Sequence, residues 1–136
     1  MMKLRPITTL LVFLMCVALS PVRAADLTTF AAAHKEADRL QGTGDGYAYM
    51  VKCLDAIAPA LGRALHACQP KNPKQKREIH VALVFVVGAD GRMERILHSP
   101  NSPSATCFMG NFRLPTPLPR PPHGHWPVNS VLAIDL

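Results

Sequence analysis

Hydrophobic and polar residues recur with two different periods along this chain. Over residues 27–40 the apolar positions Leu27, Phe30, Ala31, Ala33, Ala37 and Leu40 fit one helical face loosely, and Gln41-Gly42-Thr43-Gly44-Asp45-Gly46 predicts its end. A stronger helical pattern covers residues 47–68, with Met50, Leu54, Ile57, Leu61 and Leu65 three or four apart. Pro59 lies inside it. A proline removes one backbone donor and crowds the preceding turn, so a kink or a break into two shorter helices is expected there.

The period then changes to two. Residues 80–87 are rich in β-branched side chains, Gly88-Ala89-Asp90-Gly91 offers positive-φ positions for a tight reversal, and residues 92–98 follow as the second arm of a hairpin. In the first arm Val81, Leu83, Phe85 and Val87 share one face and His80, Ala82, Val84 and Val86 the other. Both faces are apolar, so both are expected to be at least partly covered. Ser102 followed by Pro103 reads as a helix start, with a short helix over residues 104–113 carrying Ala105, Phe108, Met109 and Phe112 as a core stripe. Residues 114–127 are dense in proline and must be mostly extended. The last nine residues alternate, Val128, Ser130, Leu132, Ile134 and Leu136 against Asn129, Val131, Ala133 and Asp135, as a half-buried strand does.

These elements predict an α+β fold: N-terminal helices packed with a small three-stranded antiparallel sheet and one short helix, the second half running β-β-α-β. The division expected is a leader over residues 1–24, a helical region over 25–70, a basic linker over 71–78 and a β-β-α-β region over 79–136 that forms one compact unit with the helices. The linker is marked by Lys71, Lys74, Lys76 and Arg77, read as a solvated charge run.

Strand Val81-Ala82-Leu83-Val84-Phe85-Val86-Val87, turn Gly88-Ala89-Asp90-Gly91-Arg92, segment Ser99-Pro100-Asn101-Ser102 and Pro121-Pro122 before the last strand stand in a characteristic order. In that order, residues 77–136 resemble the C-terminal domain of TonB-like periplasmic proteins. The resemblance implies a small scaffold whose terminal strand can pair with an extended peptide. Two departures separate this chain from an anchored energy transducer, which would keep its membrane anchor and a long proline-rich spacer.

The first departure is the leader. Lys3 and Arg5 precede an apolar run over residues 7–19, Ser20 and Pro21 break it, and Val22-Arg23-Ala24 offers a peptidase small or modest side chains at its two selective positions. The run is shorter than the ~20 apolar residues of a spanning helix. Cleavage before Ala25, a periplasmic or secreted location and no permanent membrane anchor are expected. Loss of Lys3, Arg5 and Arg23 leaves 12 basic against 9 acidic side chains, which removes the main support for nucleic-acid binding. The second departure is the helical N-terminal half.

Export leaves Cys53, Cys68 and Cys107 where disulfides persist. On a continuous helix Cys53 and Cys68 stand ~22 Å apart, beyond the ~7 Å that a bridge allows, and they could pair only if Pro59 folds the helix back. Cys68 with Cys107 is the expected bridge, leaving Cys53 as a thiol buried in the apolar face or exposed to another chain. No His is placed beside Cys107 to activate it, Ser99 and Ser102 lack a nucleophile-elbow context, and Asp38, Asp55, Asp90, Glu94 and Asp135 are scattered. No enzyme, and no cofactor, is expected. His123-Gly124-His125 is the sharpest polar feature: two imidazoles that could share a metal with His98 or His80, against a plain proline-loop surface. Trp126 beside them is expected to cover the sheet.

The function expected is a protein-binding or adaptor module of the cell envelope, its edge strand (Val128, Ser130, Val131, Leu132, Ala133, Ile134) pairing with a partner peptide. Alternatives are an immunity or inhibitor protein acting on a secreted hydrolase, and a metal-binding protein using His123 and His125.

Overall fold

The computed structural model describes residues 26–72, 74–76, 78–114 and 116–135. The proposed leader and its cleavage point lie outside the described residues, as do Arg77 and Leu136.

Helix α1 (Phe30–Gln41) is capped by Thr29, whose hydroxyl accepts from the Ala32 N–H. Only two residues separate helix α2 (Gly44–Ala67) from the end of α1, so it begins inside the glycine-rich run that reads as a stop. Thr43 makes this corner. Its hydroxyl accepts from the Gly46 N–H at 3.1 Å and donates to the Leu40 carbonyl at 2.6 Å, tying the start of one helix to the end of the other. Gly46 is required by the approach, since a Cβ there would run into the Leu40 carbonyl.

The break expected at Pro59 does not occur; α2 runs through it for 24 residues. Pro59 and Asp55, four residues earlier, are both exposed, so the carbonyl that loses its donor faces water. The fully buried line of α2 is Tyr49, Cys53, Ile57, Ala60, Ala64 and Cys68, rotated slightly from the Met50–Leu65 row, whose Met50, Leu54, Leu61 and Leu65 are only partly buried against the core. Small residues take the closest contact and the larger ones flank it.

Strands β1 (Glu78–Val87), β2 (Met93–Ser99) and β3 (Trp126–Asp135) form one antiparallel sheet in the order β2-β1-β3, with α3 (Pro103–Asn111) between β2 and β3 in sequence. The class is α+β. Glu78, assigned to the basic linker by the sequence, opens β1. Helix α3 is capped by Ser102, which accepts from Ala105, with Pro103 at its first position.

Because β1 is central and apolar on both faces, the sheet is covered on both. Ile79, Val81, Leu83, Phe85 and Val87 join α2, Phe108 of α3, Phe112, Trp126 and Val128 in the main core. On the opposite face Val84 and Val86 are also buried, beneath α1 with its buried Ala33 and Ala37. Alanines let α1 lie close to the strands, which explains why a weakly apolar helix packs here.

The hairpin turns at Gly91, φ 84°, with Gly91 N–H donating to Gly88 O and Gly88 N–H to Arg92 O. Pairing is Val86 with Arg95 but Val87 with Met93, so Glu94 is the extra residue of a β-bulge. The proline-rich connector is held against this hairpin: Leu118 N–H donates to Gly91 O at 2.8 Å, and the Tyr49 hydroxyl donates to Pro119 O at 2.8 Å.

Cys68 at the end of α2 and Cys107 in α3 form a disulfide with Cα atoms 6.0 Å apart, 39 residues apart in sequence. Loop closure of that length contributes about 4 kcal/mol by the chain-entropy estimate. Reduction is therefore expected to lower the urea unfolding free energy by up to about 4 kcal/mol, and an unchanged midpoint would contradict it. Gly46→Ala, which forces the α1–α2 corner open, is expected to cost roughly 1–3 kcal/mol in the same measurement.

Candidate functional site

Two surfaces stand out: the free edge of β3 and a cleft over one end of the sheet. The edge follows from backbone geometry. Along β1, successive N–H and C=O groups point alternately to β2 and to β3. Gly88, directly after β1, donates to Arg92 on the β2 side. Counting back in twos, Val86, Val84 and Ala82 also face β2, and Phe85, Leu83, Val81 and Ile79 face β3. Their partners Val128, Ser130, Leu132 and Ile134 therefore make the ladder bonds, whereas Pro127, Asn129, Val131 and Ala133 turn their backbones outward. Pro127 agrees independently, because a proline fits a paired strand where no N–H is wanted.

Of the residues named for partner binding, Val128 is buried, Ser130 and Leu132 are half-buried, and Val131 and Ala133 are exposed, Val131 at 72 %. Ile134 contributes backbone pairing to Ile79. Of the positions whose backbones turn outward, Val131 and Ala133 are thus the exposed ones.

Helix α1 holds the earlier part of β3. Asn129 Nδ2 donates to Asp38 Oδ1 at 2.6 Å and stands 3.2 Å from His34 Nδ1, and His34 Nδ1 is 3.2 Å from Asp38 Oδ2. The ring of Phe30 meets His34 edge-on at 5.4 Å. This cluster was not singled out in the sequence, although His34 and Asp38 at i, i+4 on one helix face were visible there. They clamp α1 to the edge strand.

The cleft, about 500 Å³, lies between Leu27–Thr28, α1, the start of β2 and the loop over residues 123–126. Leu27, Leu40, Val86 and Trp126 give it an apolar floor, and Glu36, Arg39, Glu94, Arg95, His123 and His125 line its mouth. Arg39 forks onto Glu36 at 2.6 and 2.8 Å, which holds that carboxyl below the usual carboxylate range. His125 Nδ1 stands 2.7 Å from Glu94 Oε2, the carboxylate presented by the bulge. Arg95 donates to the Leu27 carbonyl at 3.0 Å and so straps the segment before α1 across the sheet. Its field contributes to lowering the Asp26 carboxyl, after the hydroxyl and amide of Thr28. Trp126, nearly fully buried in β3, packs edge-on to Tyr49 at 5.6 Å and lies 5.2 Å from the His123 ring.

The alternative metal-site reading of His123 and His125 gains neither His98 nor His80 as a further ligand. His98 sits opposite Leu83 and His80 opposite Ala133, at strand positions away from Trp126, which pairs with Val87. Among the described residues no group of three His, Cys, Asp or Glu side chains could hold a metal ion, and His125 is engaged by Glu94 instead. Cys53 is buried, 0 % exposed, against Tyr49. Among the described residues no helix is long and apolar enough to cross a membrane.

In comparison with known proteins, the chain matches no family model, no curated protein and no solved structure.

The core behind Trp126 has a pH signature. Burial pushes the Tyr49 hydroxyl and the Cys53 thiol above their ordinary values, and the neighbouring thiol pushes Tyr49 further. The folded chain therefore keeps both protons where the unfolded chain releases them, the thiol from about pH 8.5 and the phenol from about pH 10. Protons bound then favour the native state, so stability falls as pH rises through those values. Urea unfolding should show a decline above pH 8.5 that Cys53→Ala reduces by up to about 1.4 kcal/mol per pH unit; equal slopes in both proteins would refute the assignment.

Proposed function

We propose that the chain is a non-catalytic protein-binding module of the cell envelope, exported on the leader of residues 1–24, that accepts an extended peptide from a partner as a fourth strand on β3. One observation carries this reading: the backbone groups of Val131 and Ala133 face outward on an edge strand whose Val131 side chain is 72 % exposed. An incoming strand would satisfy those groups and cover an apolar side chain at once. The opposite edge, at the start of β2, is flanked by residues 112–114, which line a shallow groove with Met93, Glu94, Arg95 and Ile96.

Two further features support the same reading. Residues 77–136 resemble the C-terminal domain of TonB-like periplasmic proteins, where a terminal strand available for pairing is what the resemblance implies. The Cys68–Cys107 disulfide belongs to an oxidising compartment, in keeping with export.

Val131→Pro tests strand addition with little damage to the fold, because the N–H it removes points away from β1. Its unfolding free energy should stay within about 1 kcal/mol of the parent, while cross-linking to its partner in native envelopes should fall severalfold. Undiminished cross-linking by the folded variant would overturn the proposal.

A further inference from the structure

The cleft is unrelated to the edge of β3 and has its own chemistry. Its size suits a molecule of roughly ten to fifteen non-hydrogen atoms. Its floor is apolar: Leu27 and Leu40 from the α1 side, Val86 from β1 and Trp126 from β3. The charges at the mouth are unequal in their commitments. Glu36 is already bound by the fork of Arg39, and Glu94 by His125. Arg95 spends one donor on the Leu27 carbonyl and, among the described residues, hydrogen-bonds to no carboxylate. A guanidinium carries five donors, and a carboxylate matches its fork. Glu36 is matched by Arg39, Glu94 hydrogen-bonds with His125, and Asp26 is held by Thr28 within the field of Arg95, so the unspent donors beside the apolar floor are those of Arg95.

We propose that this cleft binds a small apolar monocarboxylate, its ring or alkyl chain on Leu27, Leu40, Val86 and Trp126 and its carboxylate on Arg95. The bond from Arg95 to Leu27 aims the guanidinium: the strap that closes one wall also fixes the group that receives the ligand. Pairing with Val86 sets Arg95 on the same sheet face as that floor residue, so head and tail of the ligand are met from adjacent positions.

The chain contains one tryptophan, Trp126, so its fluorescence reads the cleft directly. The probes are 4-phenylbutyrate, 4-phenylbutanol and 4-phenylbutylamine, titrated into the oxidised protein of residues 25–136 and into Arg95→Gln. Expected are saturable binding of the carboxylate, weaker binding of the alcohol, and weakest binding of the amine. In Arg95→Gln the carboxylate should bind at least about tenfold more weakly, equivalent to about 1.4 kcal/mol, while the alcohol, which loses only the strap on Leu27, should weaken by no more than about twofold. Alcohol binding retained within that margin also certifies that the variant is folded and keeps its cleft. The proposal is overturned if the carboxylate shows no saturable change up to about 5 mM, if the amine binds as tightly as the carboxylate, or if Arg95→Gln affects the two neutral and anionic probes equally.

Discussion

β1 is apolar on both faces and lies between the other two strands, and most of the structure follows from covering it. A sheet of three strands cannot bury its own middle. One face is closed by α2 and α3, whose aromatic and branched side chains meet Phe85, Leu83 and Val81. The other is closed by α1, which brings alanines in place of a large apolar stripe and reinforces them with the polar clamp of His34, Asp38 and Asn129. The Thr43 corner lets α1 and α2, consecutive in the chain, sit on opposite sides of the sheet. The disulfide then fixes α2 to α3 on the side where the core is largest.

The same arrangement separates the two candidate surfaces. α1 covers the part of β3 around Asn129 and leaves Val131 and Ala133 outside, so the accessible stretch of edge lies toward the end of the chain. At the other end of β3, Trp126 enters the core beside Tyr49 and leaves room under the segment before α1. Edge and cleft thus occupy opposite ends of one strand.

What could be read from the sequence was local. The hairpin with its Asp90-Gly91 turn, the Ser102-Pro103 helix start and the final strand rest on neighbouring residues, and each is present within two residues of its expected bounds. Helix length argued against Cys53 with Cys68, and the place of Cys68 at the helix end favoured Cys107 as its partner. The start of α2 was not, because the glycines that usually end a helix here serve a close approach to Leu40. Continuity through Pro59 depends on which side of α2 faces water, and no pattern within the helix states that. The Asn129 clamp joins residues 91 to 95 positions apart, and the cleft gathers side chains from five stretches of chain. Neither has a signature at short range.

The bulge at Glu94 has a consequence for how this protein can vary. In a regular strand Met93 and Arg95 would share a face; with one residue accommodated between them, Met93 packs toward the main core while Arg95 stands over the cleft. A regular strand of the same sequence would have to choose between leaving a methionine in water and driving a guanidinium among Phe85 and Phe112. That single inserted position uncouples the two sides of β2, so the cleft can change its chemistry without disturbing the interior. A change in hairpin length, by contrast, would turn a question of recognition into one of folding.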